Sequence, residues 1–190
     1  MEYNSNITPK SGNLLISEPF LQDENFVRSV ILLCENNENG SFGLVLNKLS
    51  ILKIGDLIED LNNFDDQVYV GGPVEQNTLH FIYHSSESLL NGSVELCSGV
   101  WWSGDFEELV DKIKLGQIDK ANFRFFIGYS GWSEGQLKEE LIEKTWIVCE
   151  QLDSDNLFNS SPDELWRLIL RNMGGDFQVL ANYPIDPRLN

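Results

Sequence analysis

With 190 residues, 42% of them hydrophobic and 11% aromatic, the chain can bury one substantial core and is too apolar for intrinsic disorder. Thirty acidic against 13 basic residues leave a formal charge of −17, a field that repels nucleic-acid phosphates and anionic lipid surfaces. The cations are scattered singly with no basic recognition helix, so direct nucleic-acid contact is not expected.

In chain order, Gly12 to Ser17 and Arg28 to Glu35 are short apolar runs separated by Asp23-Glu24-Asn25, and both predict strands. Asn36 to Gly40 supplies residues tolerant of positive φ, and Phe42 to Asn47 follows as the second arm of a hairpin. Ile54, Leu57, Ile58 and Leu61 recur at helical spacing opposite Asp56, Glu59 and Asp60, which predicts a short amphipathic helix. Gln67 to Gly71, Thr78 to His84 and Ser93 to Cys97 predict three more strands, with connections too short for helical crossovers, so antiparallel pairing should dominate.

Asp105 should start a helix with Phe106, Leu109, Val110 and Ile113 on one face and Gly116 as its stop. Phe123 to Ile127 predicts an aromatic strand, followed by Gly128-Tyr129-Ser130-Gly131-Trp132-Ser133-Glu134-Gly135 as a glycine-rich loop. Ser133 and Gln136 stand at capping-box spacing for a helix through Leu137, Leu141 and Ile142. Trp146 to Glu150 predicts a strand, and Ser161-Pro162-Asp163-Glu164 a capped helix start. That last helix has little polar face, is expected to dock deeply, and ends at Gly174-Gly175. Residues 1–190 form one domain in this scheme, with the tail 176–190, which carries Pro184 and Pro187, only partly ordered.

Cys34, Cys97 and Cys149 lie in or beside apolar strands without CxxC spacing, as reduced core thiols of a cytosolic protein do. Residues 1–6 lack the pattern of a secretory signal, and no run approaches the ~18 apolar residues that span a bilayer, so a cytoplasmic location is expected.

Four blocks in order resemble the AlgH/YqgE family: Gly12 to Pro19 with Phe26 to Val30, then Cys34-Glu35-Asn36 through Gly43 to Lys48, then Gly71-Gly72-Pro73, then Gly128 to Leu137 with Trp146. The resemblance implies a single α+β domain with a bent, mostly antiparallel, partly barrel-like sheet flanked by helices, bacterial and cytosolic. Members are often labelled transcriptional regulators, and no established activity comes with that name. The chain departs from the family pattern at Asn36, where histidine is common, and at Trp101-Trp102, so no role of that histidine transfers.

Arg28 opens an apolar strand and can receive a carboxylate or phosphate with its planar fork, or pair with one of the 30 acids. Asn47 and Lys48 close the following strand, as ligand-orienting groups or as strand-end caps. Gly71-Gly72-Pro73 can offer amides to an anion but fits a tight turn better, since proline removes a donor and no nucleotide-loop pattern surrounds it. His80 and His84 share a strand face at a separation of ~13 Å, too far for one metal. Ser130, Ser133 or Cys34 with His84 would be needed for nucleophilic catalysis, and no nucleophile elbow supports any of them. Trp132 beside Gly131 can wall a pocket or plug the core.

The expectation is therefore a non-catalytic regulatory or ligand-binding domain without metal or cofactor. Arg28, Asn47, Gly71, Gly72, Pro73, Gly128, Tyr129, Gly131 and Trp132 would line one cleft for a small anion or a protein partner. The alternatives are an enzyme using the cleft of Arg28 and Gly128 to Trp132, or an acidic interaction module that meets a basic partner. Oligomeric state is left open.

Overall fold

The computed structural model describes residues 7–150 and 154–184. Its strands are β1 Leu14–Ser17, β2 Val30–Asn37, β3 Gly40–Val45, β4 Leu49–Lys53, β5 Gln67–Val70, β6 Val74–His84, β7 Val94–Cys97, β8 Val100–Trp102, β9 Phe123–Ser133 and β10 Trp146–Cys149. The helices are α1 Ile54–Leu57, α2 Phe106–Lys114, α3 Gln136–Ile142, α4 Ser154–Asn159, α5 Pro162–Met173 and α6 Gly175–Leu180.

The fold is a single α+β domain on one ten-stranded sheet that does not close, ordered β10-β1-β2-β3-β9-β6-β8-β7, with β5 on β9 and β4 on β5. Pairing is antiparallel except between β5 and β9. The eleven-residue β9 holds the two halves together: its first half lies between β5 and β6, and its second half pairs with β3.

Period-two alternation sorts the side chains into three cores. Leu14, Ile16, Val30, Leu32, Leu44, Phe126 and Ile147 face inward under α5, whose Leu165, Trp166, Ile169 and Leu170 complete that core. Leu15, Ile31, Leu33, Val45, Trp146 and Val148 face the other way, under Leu137 of α3. Val68, Phe81, Tyr83, Phe123 and Phe125 are covered by Leu109, Val110 and Ile113 of α2.

Several local departures have physical causes. The helix expected over Ile54 to Leu61 breaks at Ile58 into α1 and a 3-10 turn, Glu59–Leu61. There the chain folds back over Gly55, where a Cβ would stand 2.8 to 3.0 Å from three carbonyl oxygens. Strand β4 was not expected because its pattern is inverted, with Leu49 and Ile51 exposed and Ser50 buried between them. β8, at three residues, is below what periodicity resolves.

Ser161 makes no side-chain capping bond, and Pro162 in the first turn sets the start of α5. The predicted glycine-rich loop is instead the second half of β9, and α3 begins from Gly135 at φ 77°. Ser133 is the last residue of β9, and its N–H donates to Gln136 Oε1 at 3.0 Å. Of the tail 176–190, residues 176–180 belong to α6 and 185–190 lie outside the described residues. No described helix is long and apolar enough to cross a membrane.

Candidate functional site

The nine residues expected to line one cleft are divided among four places. The first is a backbone crossing. Gly71 N–H donates to the Ile127 carbonyl at 2.9 Å, while the Gly71 carbonyl accepts from Val45 N–H at 2.9 Å and Ser130 Oγ at 3.1 Å. A Cβ on Gly71 would lie 2.3 Å from the Gly128 carbonyl oxygen, and one on Gly72 2.2 Å from Tyr129. Glycine is thus required for close approach, and the Gly71 amide is committed to β9 rather than to an anion. Pro73 is exposed beyond the crossing. Opposite it, Gly128 at φ 64° kinks β9, and β6 bulges: Val74 and Leu79 oppose Tyr129 and Ile127, leaving three extra residues on β6.

The second place joins Arg28 and Asn47. Asn47 Oδ1 accepts from Val30 N–H and its Nδ2 donates to the Arg28 carbonyl, both at 2.8 Å, so the amide is consumed as a clasp on the start of β2. The clasp holds Arg28 at φ 49°, a left-handed conformation costly for a residue with a Cβ. The Arg28 guanidinium has no carboxylate partner among the described residues. It lies 4.5 Å over the Trp166 ring and donates from Nη2 to the Tyr183 carbonyl at 2.5 Å, leaving Nε and Nη1 buried without an acceptor. Burial, then repulsion from Arg167, lowers its pKa. None of the three cavities described below reaches Arg28 or Asn47.

The third is Trp132, which is 6% exposed and plugs the core under α3. Its Nε1–H and that of Trp146 both donate to Glu140 Oε2, at 2.8 and 2.6 Å. Glu140, one of two acids on α3, carried no signal in the sequence, because only the fold brings two indoles to it.

Tyr129 and Gly131 border a partly open cavity, which Trp132 also lines, and Tyr129 meets there rings that sequence spacing does not connect. Phe42 of β3 touches Tyr129 of β9 (centroids 4.7 Å apart), His80 of β6 (5.2 Å) and Trp102 of β8 (5.3 Å), and His80 touches Tyr129 at 5.8 Å. All four are half-buried. They form a ridge between two cavities. One, of about 490 Å³, lies beside His80 and Trp102 and is also lined by Leu52, Leu57, Gln76 and Phe106. The other, of about 440 Å³, lies over Phe42 and Tyr129 with Glu35, Asn37 and Gly131. The missing side chain of Gly131 leaves its floor flat beneath the Tyr129 ring, whose Cε2 is 3.0 Å from where a Cβ would stand. A third cavity, of about 410 Å³, lies between Ile7 to Pro9 and α3, with Asn36 and Lys138.

The hydrogen bonding of His80 defines what its imidazole can do. Thr78 Oγ1 stands 2.8 Å from the Glu75 carbonyl oxygen and 3.0 Å from His80 Nε2. With the hydroxyl proton on the Glu75 carbonyl, Nε2 donates to Thr78 and Nδ1 accepts; with the proton turned to the ring, the two nitrogens exchange roles. Burial lowers the His80 pKa, with a smaller opposing effect from Glu75, so the ring is neutral near pH 7.

The other nucleophile candidates are also engaged. Ser130 Oγ is bound to Gly71, Ser133 Oγ to Gln136, and His84 stacks on Phe158. Burial pushes the Cys34 thiol well up and that of Cys97 up to about 11. Among the described residues no group of three or more His, Cys, Asp or Glu is arranged to hold a metal ion.

A second buried cation escaped the sequence. Arg124, 7% exposed near the start of β9, donates to the carbonyls of Leu46 and Phe158 and lies over Tyr69 and Phe158, 5.0 and 5.6 Å from the ring centroids. It ties α4 to the sheet without a carboxylate.

A family model described as AlgH-like matches residues 14–178. A UPF0301 protein of Cytophaga hutchinsonii is 46% identical over 179 residues, covering 94% of this chain and 98% of that protein. One from Chlorobaculum tepidum is 38% identical over 181 residues, covering 95% and 96%. In structure, the chain superposes on the AlgH protein from Pseudomonas aeruginosa with a TM-score of 0.72 and 27% identity, covering 94% of this chain and 97% of that one. A Corynebacterium diphtheriae protein at 22% identity shares the fold, with a TM-score of 0.78 over 96% and 95% of the two chains. The chain belongs to the AlgH-like, UPF0301 family.

Proposed function

We propose that this chain is a cytoplasmic, non-catalytic binding domain that serves regulation by holding a ligand against Phe42, His80, Trp102 and Tyr129. The observation that carries this reading is the ring ridge itself. Four rings from four strands converge on one face and stay half-open between two cavities, whereas Trp132, Trp146 and Trp166 are buried. Half-open rings beside convergent amides and hydroxyls are what a pocket for a small or extended ligand needs. That the Thr78 hydroxyl beside His80 is also bonded to the Glu75 carbonyl argues for recognition over turnover. A regulatory role of this kind acts through a ligand or partner, since a charge of −17 opposes direct contact with DNA.

The test is a thermal-shift screen of guanidines, amines, nucleobases, phosphosugars and carboxylates, repeated with Phe42→Leu, Tyr129→Leu and Lys138→Ala. A ligand at ~100 times its Kd adds about 2.7 kcal/mol, worth roughly 5 to 10 °C in Tm for a chain of this size. The shift should vanish in the first two variants and persist in the third. Loss in Lys138→Ala alone would move the site to the cavity against α3, and silence across the whole screen would reduce the ridge to a packing feature.

A further inference from the structure

We propose that the ring ridge receives a cationic side chain, an arginine guanidinium or a lysine ammonium, presented by an extended basic segment of a partner protein. The inference rests on the ridge being a binding site and adds the chemical class of what it binds.

The lining of the two cavities points to this sign of charge. No cation borders either one, and the sole charged group among their lining residues is Glu35. Glu35 is exposed, and the five ion pairs among the described residues use Asp65, Glu108, Asp60, Asp66 and Glu164. An anion placed here would meet a carboxylate and a field of −17 with no counter-charge, whereas a cation is favoured by both. Association with a basic partner would also be steered by the whole acidic surface.

The rings suit a cation as well as the charge does. Phe42 stacks between Tyr129 at 4.7 Å and 30° and Trp102 at 5.3 Å and 35°, so the rings that end the stack are Tyr129, which borders the cavity holding Glu35, and Trp102, which borders the other. A cation over the face of such a ring is attracted by the ring quadrupole. Elsewhere the molecule already holds guanidinium groups in this way. Arg28 lies on Trp166 and Arg124 on Tyr69 and Phe158, neither with a carboxylate among the described residues. Among the described residues, no cation of the chain lies over the Phe42, Tyr129 or Trp102 ring.

Shape selects a segment over a free small cation. The cavities lie on either side of the ridge, so a ligand filling both crosses it in an extended form. Beyond the ridge Leu57 and Phe106, 40% and 37% exposed, border the larger cavity and offer an apolar anchor. Asn37 on one side and Gln76 and Asn77 on the other can bond a backbone. A second copy of this chain is a poor occupant because both copies carry −17.

The experiment is an NMR titration of the full-length 15N-labelled protein with acetyl-Leu-Ser-Arg-Ser-Leu-amide and its citrulline counterpart, which keeps the shape and removes the charge. The arginine peptide should shift the Phe42, Tyr129 and Gly131 amides and one tryptophan indole saturably. The citrulline peptide should bind about fivefold more weakly, the scale of one exposed cation–π contact. Glu35→Gln should weaken the arginine peptide by about threefold, as should raising NaCl from ~50 to ~300 mM.

Equal affinity for the two peptides at the same amides would overturn the cationic assignment while leaving the ridge a binding site. A ligand from the screen that shifts these amides, with no saturable effect of the arginine peptide up to ~10 mM, or about −2.7 kcal/mol of binding, would do the same. Failure of both peptides and of the screen at these amides would sink the binding site together with the inference.

Discussion

Glycine has two separable uses in this chain, and single substitutions distinguish them. Gly135 sits at φ 77° with no heavy atom within 4 Å of a Cβ, so Gly135→Ala meets only backbone strain, about 1 kcal/mol. At Gly71 the added Cβ would stand 2.3 Å from the Gly128 carbonyl oxygen, and β5 would have to move away from β9. Gly71→Ala should therefore destabilise by about 3 kcal/mol. At roughly 2 to 4 °C per kcal/mol for this size, thermal unfolding should show a Tm loss three times larger for Gly71→Ala than for Gly135→Ala. Equal losses would mean that the crossing is loosely packed. The same scale explains Arg28: its charge and its place before an apolar strand are visible in the sequence, but its φ of 49° and its seat on Trp166 are not. Those depend on Asn47, 19 positions away, and on a helix that returns from the far end of the chain.

Among the elements, α3 shows how one side chain can fix a helix to two strands. Glu140 Oε2 accepts from Trp132 of β9 and Trp146 of β10, whose rings meet edge to face at 6.0 Å. Glu140→Ala leaves two indole N–H groups without their acceptor and should lower stability by about 2 to 3 kcal/mol, the range for hydrogen bonds to a charged group. Glu140→Gln, which keeps one acceptor oxygen, should recover at least half of that in urea unfolding, with an unchanged m value. A loss below ~0.5 kcal/mol for Glu140→Ala would show that the ring packing alone holds α3. The sequence identified α3 by its apolar spacing and by Ser133 and Gln136. It placed the preceding segment in a loop because glycine at 128, 131 and 135 punctuates it, yet pairing with β3 carries β9 through two of those glycines to Ser133. Local turn chemistry yields here to a tertiary hydrogen-bond ladder.

For the whole molecule, the charge of −17 is spread over a surface whose five ion pairs are between partly or fully exposed groups. Such pairs contribute little, while self-repulsion acts on the compact state throughout. Raising NaCl from ~10 to ~200 mM should therefore raise the Tm, by ~3 °C, as the Debye length falls below the separation of surface charges. A Tm that falls on adding salt would show that the ion pairs outweigh the repulsion. The same acidity that weakens the isolated fold at low salt would favour a basic partner, so a function and a stability penalty share one cause.

What the sequence determined by itself is what local pattern encodes. The apolar runs of Gly12 to Ser17 and Arg28 to Glu35, the Asn36 to Gly40 turn, the α2 stripe and the Ser161-Pro162 start all act over a few residues, and the structure contains each element. The family and the antiparallel α+β class followed from the same short-range blocks. The candidate site did not. Phe42, His80, Trp102 and Tyr129 come from four strands with no common spacing, and only β9, pairing with β3 and β6, brings them to one face. The cleft expected from Arg28 to Trp132 was divided for the same reason. Successive residues of a strand point to opposite faces, so Tyr129 stays on the half-open ridge while Trp132 enters the core under α3. Which face of a bent sheet is open is set by the helices that cover it, and that is a property of the folded chain alone.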